Sequence, residues 1–216
     1  MRIEPQSKFV LIGDSVTDAD RAKPIGEGLF GAYGKGYVSY IEALLSATVP
    51  EQSIRIVNQG LSGNTVRDLK ARWQTDVLDL KPDWLSIGIG INDVWRQFDL
   101  PLQTEAQVPL DEYAATLEEL IASTRPLLKG LVLLTPYVIE PNRDDAMRKR
   151  MDQYGAAVKT IAGKHGAIFV DVQAAFDAVT QHRHPMAWAW DRIHPNAAGH
   201  MVIARAVLKA LGYQWG

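Results

Sequence analysis

Short runs of apolar residues recur along the chain, and each run is bounded by polar or turn-forming residues. The first run is FVLI at residues 9–12, between Lys8 and Gly13. Continuous apolar runs of this length are typical of strands buried on both faces of a parallel sheet. Most of the runs end at Gly, Asn, Asp or Thr-Pro, which favour turns. The pattern predicts strands at residues 9–12, 54–57, 84–89, 131–134 and 167–170.

Between these runs lie segments whose apolar residues are spaced by three or four positions, as on one face of a helix. The pattern predicts helices at residues 37–45, 65–80, 110–124, 143–164 and 196–211, with Asn64 as a possible cap of the second. Strands joined by helical segments indicate right-handed crossovers and a parallel sheet that is covered on both faces. We therefore expect an α/β fold in which residues 1–216 form a single domain, because no linker, repeat or low-complexity tract interrupts the pattern.

Composition excludes several classes of function. The chain has 216 residues and a formal net charge of −2, without a long run of Lys and Arg. Binding to nucleic acid or to an anionic membrane therefore has no electrostatic support. No cysteine is present, which excludes disulfides, cysteine nucleophiles and thiolate metal sites. Residues 1–8 lack the apolar segment of a leader peptide, and no apolar run approaches the length of a membrane helix, so we expect a cytoplasmic protein.

The tripeptide Gly13-Asp14-Ser15 follows the first predicted strand. Gly13 allows a sharp turn, which places Ser15 at the carboxyl edge of the sheet, where open α/β folds bind their ligands. A serine hydroxyl at this edge is a candidate nucleophile if a base can reach it. Without such a base, the tripeptide is an ordinary strand-to-loop turn.

A candidate base lies near the other end of the chain, where Asp191 precedes His194 by three residues. On a tight loop the carboxylate can accept a hydrogen bond from Nδ1–H of the imidazole, which leaves Nε2 free to face a serine. The spacing alone is weak evidence, because a surface turn before a helix capped by Asn196 would also explain it. Two further segments strengthen the catalytic interpretation.

Gly60 and Asn92 follow the second and third predicted strands, and so they belong to the same edge of the sheet as Ser15. Acyl transfer requires hydrogen-bond donors that hold the negatively charged oxygen of the intermediate. The backbone N–H groups of Ser15 and Gly60 and the side-chain amide of Asn92 are candidate donors. Taken singly, Gly60 and Asn92 would each be read as a turn residue.

Together, Ser15, Gly60, Asn92 and the Asp191/His194 pair resemble the four signature blocks of the SGNH (GDSL-type) hydrolase superfamily. The resemblance extends from Gly13 to the residue after His194, and its one departure is GDSV in place of GDSL. It implies a three-layer, flavodoxin-like α/β/α fold with a five-stranded parallel sheet. It also implies a catalytic triad of Ser15, His194 and Asp191, and an oxyanion hole formed by Ser15, Gly60 and Asn92.

The segments 60–69, 90–96 and 189–194 are similar to those of bacterial intracellular acetylxylan esterases of this superfamily. That similarity implies a serine esterase that removes acetyl groups from short xylo-oligosaccharides through an acyl-enzyme, without a cofactor. Trp95 and Trp190 are predicted to bind the sugar, since indole faces stack on sugar rings, although both tryptophans, like Trp188, could equally belong to the core or an interface. Arg96 could bind the substrate, or it could pair with a neighbouring Asp.

Several alternatives remain open at this stage. A lipid esterase or thioesterase of the same fold, or a carbohydrate-binding protein without catalysis, would share most of these features. GEGLFG at 26–31 fits a dinucleotide-binding pattern but lacks the strand that should precede it. His182 and His184 could contribute to a metal site, but no third ligand lies at a fixed spacing. The aromatic residues of the segment 211–215 predict a homo-oligomer, possibly larger than a dimer.

Overall fold

The computed structural model describes residues 1–215, and its centre is a sheet of five parallel strands. The order of the strands across the sheet is β2-β1-β3-β4-β5. The strands are β1 Lys8–Gly13, β2 Arg55–Gly60, β3 Trp84–Gly88, β4 Gly130–Leu134 and β5 Ile168–Val170. Each predicted strand is present, and the predicted α/β fold with a parallel five-stranded sheet is confirmed.

Within residues 1–215, eight α-helices connect or follow the strands. They are α1 Ser15–Asp18, α2 Tyr37–Thr48, α3 Val66–Trp73, α4 Ile91–Asp99, α5 Leu110–Thr124, α6 Ala146–His165, α7 Val172–Thr180 and α8 Ala197–Ala210. The helix α5 has the predicted bounds, and α2, α6 and α8 lie within a few residues of theirs. The predictions did not include α1, α4 and α7.

The strand order determines where a ligand can bind. The chain moves from β1 to β2 in one direction and from β2 to β3, β4 and β5 in the other. Right-handed connections then place α2 on one face and α3, α5 and α6 on the opposite face. The contacts agree with this, because α2 packs on α8 and α8 on α7, whereas α5 packs on α3 and α6. The direction reverses beside β1, and the crevice at such a point is where open α/β sheets bind ligands.

The predicted helix at 65–80 is interrupted. The α-helical part ends at Trp73, and the segment Gln74–Leu78 forms a π-helical turn. The expected cap at Asn64 is also wrong. Thr65 is the N-cap, and the carboxylate of Asp68 in the first turn accepts hydrogen bonds from the Thr65 backbone N–H and hydroxyl, both 2.8 Å long.

The hydrophobic core lies on both faces of the sheet. The apolar side chains of β1, from Phe9 to Ile12, are completely buried. At the carboxyl end of β1, a Cβ atom on Gly13 would lie 2.3 Å from Oγ1 of Thr17 and 2.4 Å from the carbonyl oxygen of Gly88. Gly13 therefore allows α1 to fold back tightly over the end of the sheet. Within residues 1–215, no helix is long and apolar enough to cross a membrane.

Candidate active site

Ser15 is the first residue of α1, a helix of only four residues. Asp14 is the N-cap, and its Oδ1 accepts a hydrogen bond of 3.0 Å from the backbone N–H of Val16. So short a helix cannot be stable alone, because helix nucleation is unfavourable. Contacts with β1 and β2 hold it in place. Ser15 is therefore presented at the edge of the sheet by a rigid turn.

The structure brings together the three residues proposed as a triad, although 176 positions separate Ser15 from Asp191 in a chain of 216. Oγ of Ser15 lies 2.8 Å from Nε2 of His194. Nδ1 of His194 lies 2.5 Å from Oδ2 of Asp191. This arrangement lets the imidazole accept the proton of the serine hydroxyl while the carboxylate orients the ring.

Asp191 is held by its own loop. Its Oδ1 accepts hydrogen bonds from the backbone N–H groups of Ile193, at 3.0 Å, and His194, at 2.8 Å. Partial burial by itself would raise the pKa of Asp191, but the hydrogen bonds from His194 and Ile193 outweigh burial and lower it. Asp191 is therefore ionised over the neutral range and can stabilise a positively charged imidazole.

Asn92 lies in the first turn of α4 and is buried. Its side-chain nitrogen donates one hydrogen bond, 3.0 Å long, to the backbone carbonyl of Asn64. A primary amide carries two N–H donors, so a second donor is left for a ligand. The backbone N–H of Ser15, at the start of α1, donates to no protein acceptor within residues 1–215. Two of the three predicted donors are thus available at the site.

Gly60 is not available, and its predicted role is wrong. Its backbone N–H already donates a hydrogen bond of 2.8 Å to Oδ1 of Asn58. A Cβ atom at this position would lie 2.1 Å from the backbone nitrogen of Asp18, so Gly60 faces α1 and not the pocket. The reason is that residues 58–60 belong to β2 instead of following it.

Gly63 lies at the position in the pocket that was predicted for Gly60. It lines the same pocket as Ser15 and Asn92 and has a φ of +83°, which favours glycine. It lies in a turn closed by a hydrogen bond of 3.3 Å from Asn64 N–H to the Leu61 carbonyl. Within the described part of the chain, the N–H of Gly63 has no acceptor. A second glycine three positions along, in LSGN, was the available signal.

The pocket beside Ser15 has a volume of about 680 Å³. Trp95 forms part of one wall, and its ring meets the His194 ring edge-on at 5.6 Å between centroids. Trp190, by contrast, is 84% exposed and is not part of the lining. Trp95 thus lies beside the candidate triad, whereas Trp190 does not line this pocket. Trp188 is buried, as its alternative assignment to the core proposed.

Arg96 also lines the pocket, but its guanidinium pairs with Asp99 and lies 5.1 Å from the centre of the Trp95 ring. The alternative of intramolecular pairing is therefore the one observed. Asp93 takes no part in this pairing. It is buried, and its Oδ1 accepts a hydrogen bond from the N–H of Val66.

Neither of the other two motifs forms a site. His184 caps a short turn through Nδ1, which accepts the N–H of Met186 at 3.3 Å. Within residues 1–215, no three His, Asp or Glu side chains cluster as metal ligands would. GEGLFG begins beyond α1, and Gly26 forms only an isolated bridge with Asn58. It does not join a strand to a helix as a dinucleotide site requires.

Two charged residues behind the site, Arg72 and Asp18, were not predicted from the sequence. The guanidinium of Arg72 donates to the carbonyls of Gly13 and Gln59, each at 2.9 Å, and to Oδ1 of Asn64 at 2.7 Å. Oδ2 of Asp18 accepts the Ser62 N–H at 3.0 Å and the Ser62 hydroxyl at 2.9 Å. The contacts that connect them to the site were not visible in the sequence, because Gly13 lies 59 positions from Arg72 and Ser62 lies 44 positions from Asp18.

Comparison with known proteins gives a consistent result. The model of the GDSL-like lipase/acylhydrolase family matches residues 11–202. An acetylxylan esterase from Geobacillus stearothermophilus is 58% identical over 215 residues, which cover 100% of this chain and 98% of that protein. The crystal structure of that esterase, Axe2, superposes with a TM-score of 0.98 at 58% identity, with coverage of 100% and 98%.

Further crystal structures of Axe2 carry the substitutions S15A, D191A and H194A and are described as catalytic mutants of that enzyme. LAE5, an alpha/beta hydrolase enzyme from the metagenome of Lake Arreo in Spain, superposes with a TM-score of 0.99 at 59% identity, over 100% of both chains.

Proposed function

The chain belongs to the GDSL-like lipase/acylhydrolase family, and from this we propose that it is a serine esterase that removes acetyl groups from acetylated xylo-oligosaccharides. The observation that carries the proposal is the continuous hydrogen-bonded arrangement from Oγ of Ser15 through His194 to Asp191. The full-length similarity to an acetylxylan esterase supports the choice of substrate.

In the proposed first step, Nε2 of His194 takes the proton of the Ser15 hydroxyl while Oγ attacks the ester carbonyl carbon. The tetrahedral intermediate then collapses, the bond to the sugar oxygen breaks, and His194 returns its proton to that oxygen. The acetyl group remains bound to Oγ of Ser15 as an ester. Water attacks this acyl-enzyme with His194 again acting as base, and acetic acid leaves as Ser15 recovers its proton.

The negative charge on the carbonyl oxygen requires donors that are already in position. We assign this role to the N–H groups of Ser15 and Gly63 and to the second N–H of the Asn92 amide. Gly63 replaces Gly60 in this assignment. Of the two glycines, Gly63 is the one that lines the pocket, and its N–H has no acceptor among residues 1–215.

Trp95 is the residue we propose for stacking on the sugar, since it lines the pocket next to His194. The experiment is to compare acetylated xylobiose with a small aryl acetate for Trp95→Ala and Trp190→Ala. We expect Trp95→Ala to reduce kcat/KM for the sugar ester about tenfold more than for the aryl ester, since a lost stacking contact costs ~1 kcal/mol or more. Trp190→Ala should change both alike.

The same assays test the proposed function itself. The wild-type chain should release acetate from acetylated xylose or xylobiose faster than it hydrolyses esters of long acyl chains. A preference for long chains would instead indicate a lipid esterase. Activity should persist in the presence of a chelator, as we propose no metal or other cofactor.

Cellular location and assembly are also proposals. An enzyme acting on imported oligosaccharides would work in the cytoplasm, which cell fractionation can test. The homo-oligomer predicted from the C-terminal aromatics gains only limited support, because Tyr213 is buried and Trp215, 43% exposed, packs against Tyr213 and Arg205. Light scattering at micromolar concentration should report a mass above that of one chain, and a monomer would refute this prediction.

A further inference from the structure

A second histidine, His200, lines the pocket that contains Ser15 and His194. It lies in the first turns of α8 and is 8% exposed. Nothing in the mechanism above uses it. The hydrogen bonding of its ring determines which nitrogen atom carries the proton and which is left for a ligand.

Nδ1 of His200 accepts a hydrogen bond of 3.2 Å from the backbone N–H of Tyr37. Tyr37 is the first residue of α2, and its N-cap Gly36 has no side chain to satisfy that N–H. Because a backbone N–H can only donate, Nδ1 must carry the lone pair. The proton of the neutral ring is therefore on Nε2.

Nε2 of His200 has no hydrogen-bond partner within residues 1–215, and it is not sealed from solvent. The ring packs closely against Gly36, where a Cβ atom would lie 2.9 Å from its Cε1 and 3.1 Å from its Nδ1. The hydrogen bond from Tyr37 thus orients the His200 ring and its one N–H donor, and His200 lines the pocket together with Tyr40, Ala197 and Ser15.

The charge state of His200 favours binding over proton transfer. Burial, followed by the nearby His194, lowers the pKa of His200 to about 4. Its ring is therefore neutral at pH values where an esterase works. With Nδ1 occupied by Tyr37 and Nε2 protonated, it can donate a hydrogen bond but cannot act as a second base.

We propose that Nε2–H of His200 donates a hydrogen bond to an oxygen of the sugar in the bound ester, which makes His200 a specificity-determining residue. This inference rests on the proposed function. In this proposal, the wall formed by α2 and α8 makes a polar contact with the sugar, and Trp95 of α4 makes an aromatic contact with it.

Two substitutions separate this role from a purely structural one. In His200→Asn, the amide oxygen can replace Nδ1 and accept the Tyr37 N–H, but the side chain is too short to place a donor where Nε2 was. In His200→Gln, the amide nitrogen can replace Nε2, while the acceptor for Tyr37 is lost. The two variants are therefore matched controls for each other.

The experiment measures kcat/KM of both variants for acetylated xylobiose and for a small aryl acetate, together with Tm. We expect His200→Asn to lower the ratio of sugar-ester to aryl-ester kcat/KM about tenfold, the effect of one neutral hydrogen bond. His200→Gln should keep the ratio within about twofold while its Tm falls, since losing a helix-capping contact destabilises the fold.

Any other pattern of ratios overturns the inference. If His200 only caps α2, His200→Asn will resemble the wild type and His200→Gln will be the weaker enzyme. Equal changes for both substrates would also refute a contact with the sugar. A wild-type chain that hydrolyses the aryl acetate but no sugar acetate would overturn the proposed function, and this inference with it. A wild type active on both esters, with an unchanged ratio in His200→Asn, would overturn only the role of His200.

A measurement without a His200 variant covers the case in which His200→Asn does not fold. Adding acetylated xylobiose to inactive Ser15→Ala protein should shift the ¹⁵N resonance of Nε2 of His200 in NMR spectra and leave Nδ1 nearly unchanged. An unchanged Nε2 resonance at saturating ligand would contradict the proposal.

Discussion

At the scale of single residues, the side chains of Asn92 and His194 are each oriented by a hydrogen bond to a neighbouring group, which leaves another of their atoms free to act. The amide nitrogen of Asn92 is held by the carbonyl of Asn64, and the Nδ1 of His194 is held by Asp191. The second N–H of Asn92 is then left for a ligand, and Nε2 of His194 lies 2.8 Å from Oγ of Ser15. Because these orienting contacts exist before the substrate binds, the site needs little reorganisation when charge develops in the transition state. This preorganisation is the main source of electrostatic catalysis.

Asn92 is the oxyanion donor that a single substitution can remove. Asn92→Ala should reduce kcat about 10²–10³-fold, the usual cost of losing one oxyanion donor. Asn64→Ala is the control, because it removes a side chain bonded to Arg72 but keeps the carbonyl that orients Asn92. Its kcat should fall far less. Steady-state kinetics on an aryl acetate measure both, and similar losses in the two variants would contradict the assigned donor.

The limits of sequence reasoning are also visible at this scale. Gly60 and Gly63 are only three positions apart. Because β2 extends to Gly60, it is Gly63, in the turn after the strand, that lines the pocket. Trp95 and Trp190 are both close in sequence to site residues, yet one lines the pocket and the other is 84% exposed. Proximity in sequence does not determine the direction of a side chain. The spacing of Asp191 and His194 was weak evidence alone, but together with the other site segments it predicted a contact that the structure contains.

At the scale of elements, the site depends on how α1 is joined to the turn that carries Gly63. Asp18, the last residue of α1, accepts two hydrogen bonds from Ser62, and Lys23 pairs with the same carboxylate at 2.8 Å. Ser15 and the N–H of Gly63 therefore occupy positions relative to each other that Asp18 helps to maintain. Asp18 acts through these neighbours and is a positioning residue.

Asp18→Asn tests this connection. The amide keeps the size of the side chain but replaces one acceptor oxygen by a donor, which disturbs the contact with Ser62. We expect kcat to fall about 10-fold or more with little change in KM, because misplaced donors weaken transition-state binding only. Asp111→Asn, at an exposed position in the first turn of α5, is the control. An unchanged kcat in Asp18→Asn would show that the turn holds itself.

The elements that were predicted and those that were missed differ in what stabilises them. The strands are short, mostly apolar segments, and α5 has an unbroken apolar stripe, so local pattern was sufficient. By contrast, α1 has four residues, and the first turn of α4 contains Asn92 and Asp93, which are typical of turns. Both helices exist because of tertiary contacts. The site residues Ser15 and Asn92 lie on these two helices, so the sequence predicted the residues better than their local structure.

At the scale of the whole molecule, the sheet edge contains two buried carboxyl groups, Asp14 and Asp93. Burial raises the pKa of each to about 7, even though each accepts a backbone hydrogen bond that opposes the shift. Oδ2 of each has no hydrogen-bond partner among the described residues. Neutral carboxyls are thus favoured here, and ionising them in the folded state costs free energy.

This cost predicts a pH dependence of stability. A carboxyl whose pKa is higher in the folded than in the unfolded chain binds more protons when folded, so its contribution to stability is lost as pH rises. The loss for Asp14 should run from about pH 4, where unfolded aspartate titrates, to about pH 7. Asp14→Asn keeps an acceptor for Val16 and should remove that loss. Relative to wild type, its unfolding free energy should increase with pH by ~2–4 kcal/mol.

Urea unfolding at several pH values between 4 and 8 measures this difference. Asp93→Asn should change in the same direction, because burial is also the main cause of its raised pKa. If the curves of Asp14→Asn and wild type stay parallel, Asp14 does not titrate in the folded chain over this range.

Ser15 is the proposed nucleophile, and kcat/KM of Ser15→Ala on an aryl acetate measures this role most directly. The substitution removes only a hydroxyl, so circular dichroism and Tm should match the wild type. Loss of a triad member leaves only the oxyanion donors and binding, and we expect kcat/KM to fall by about 10⁴-fold or more. A folded Ser15→Ala protein that hydrolyses the ester at a rate near that of the wild type would contradict the account.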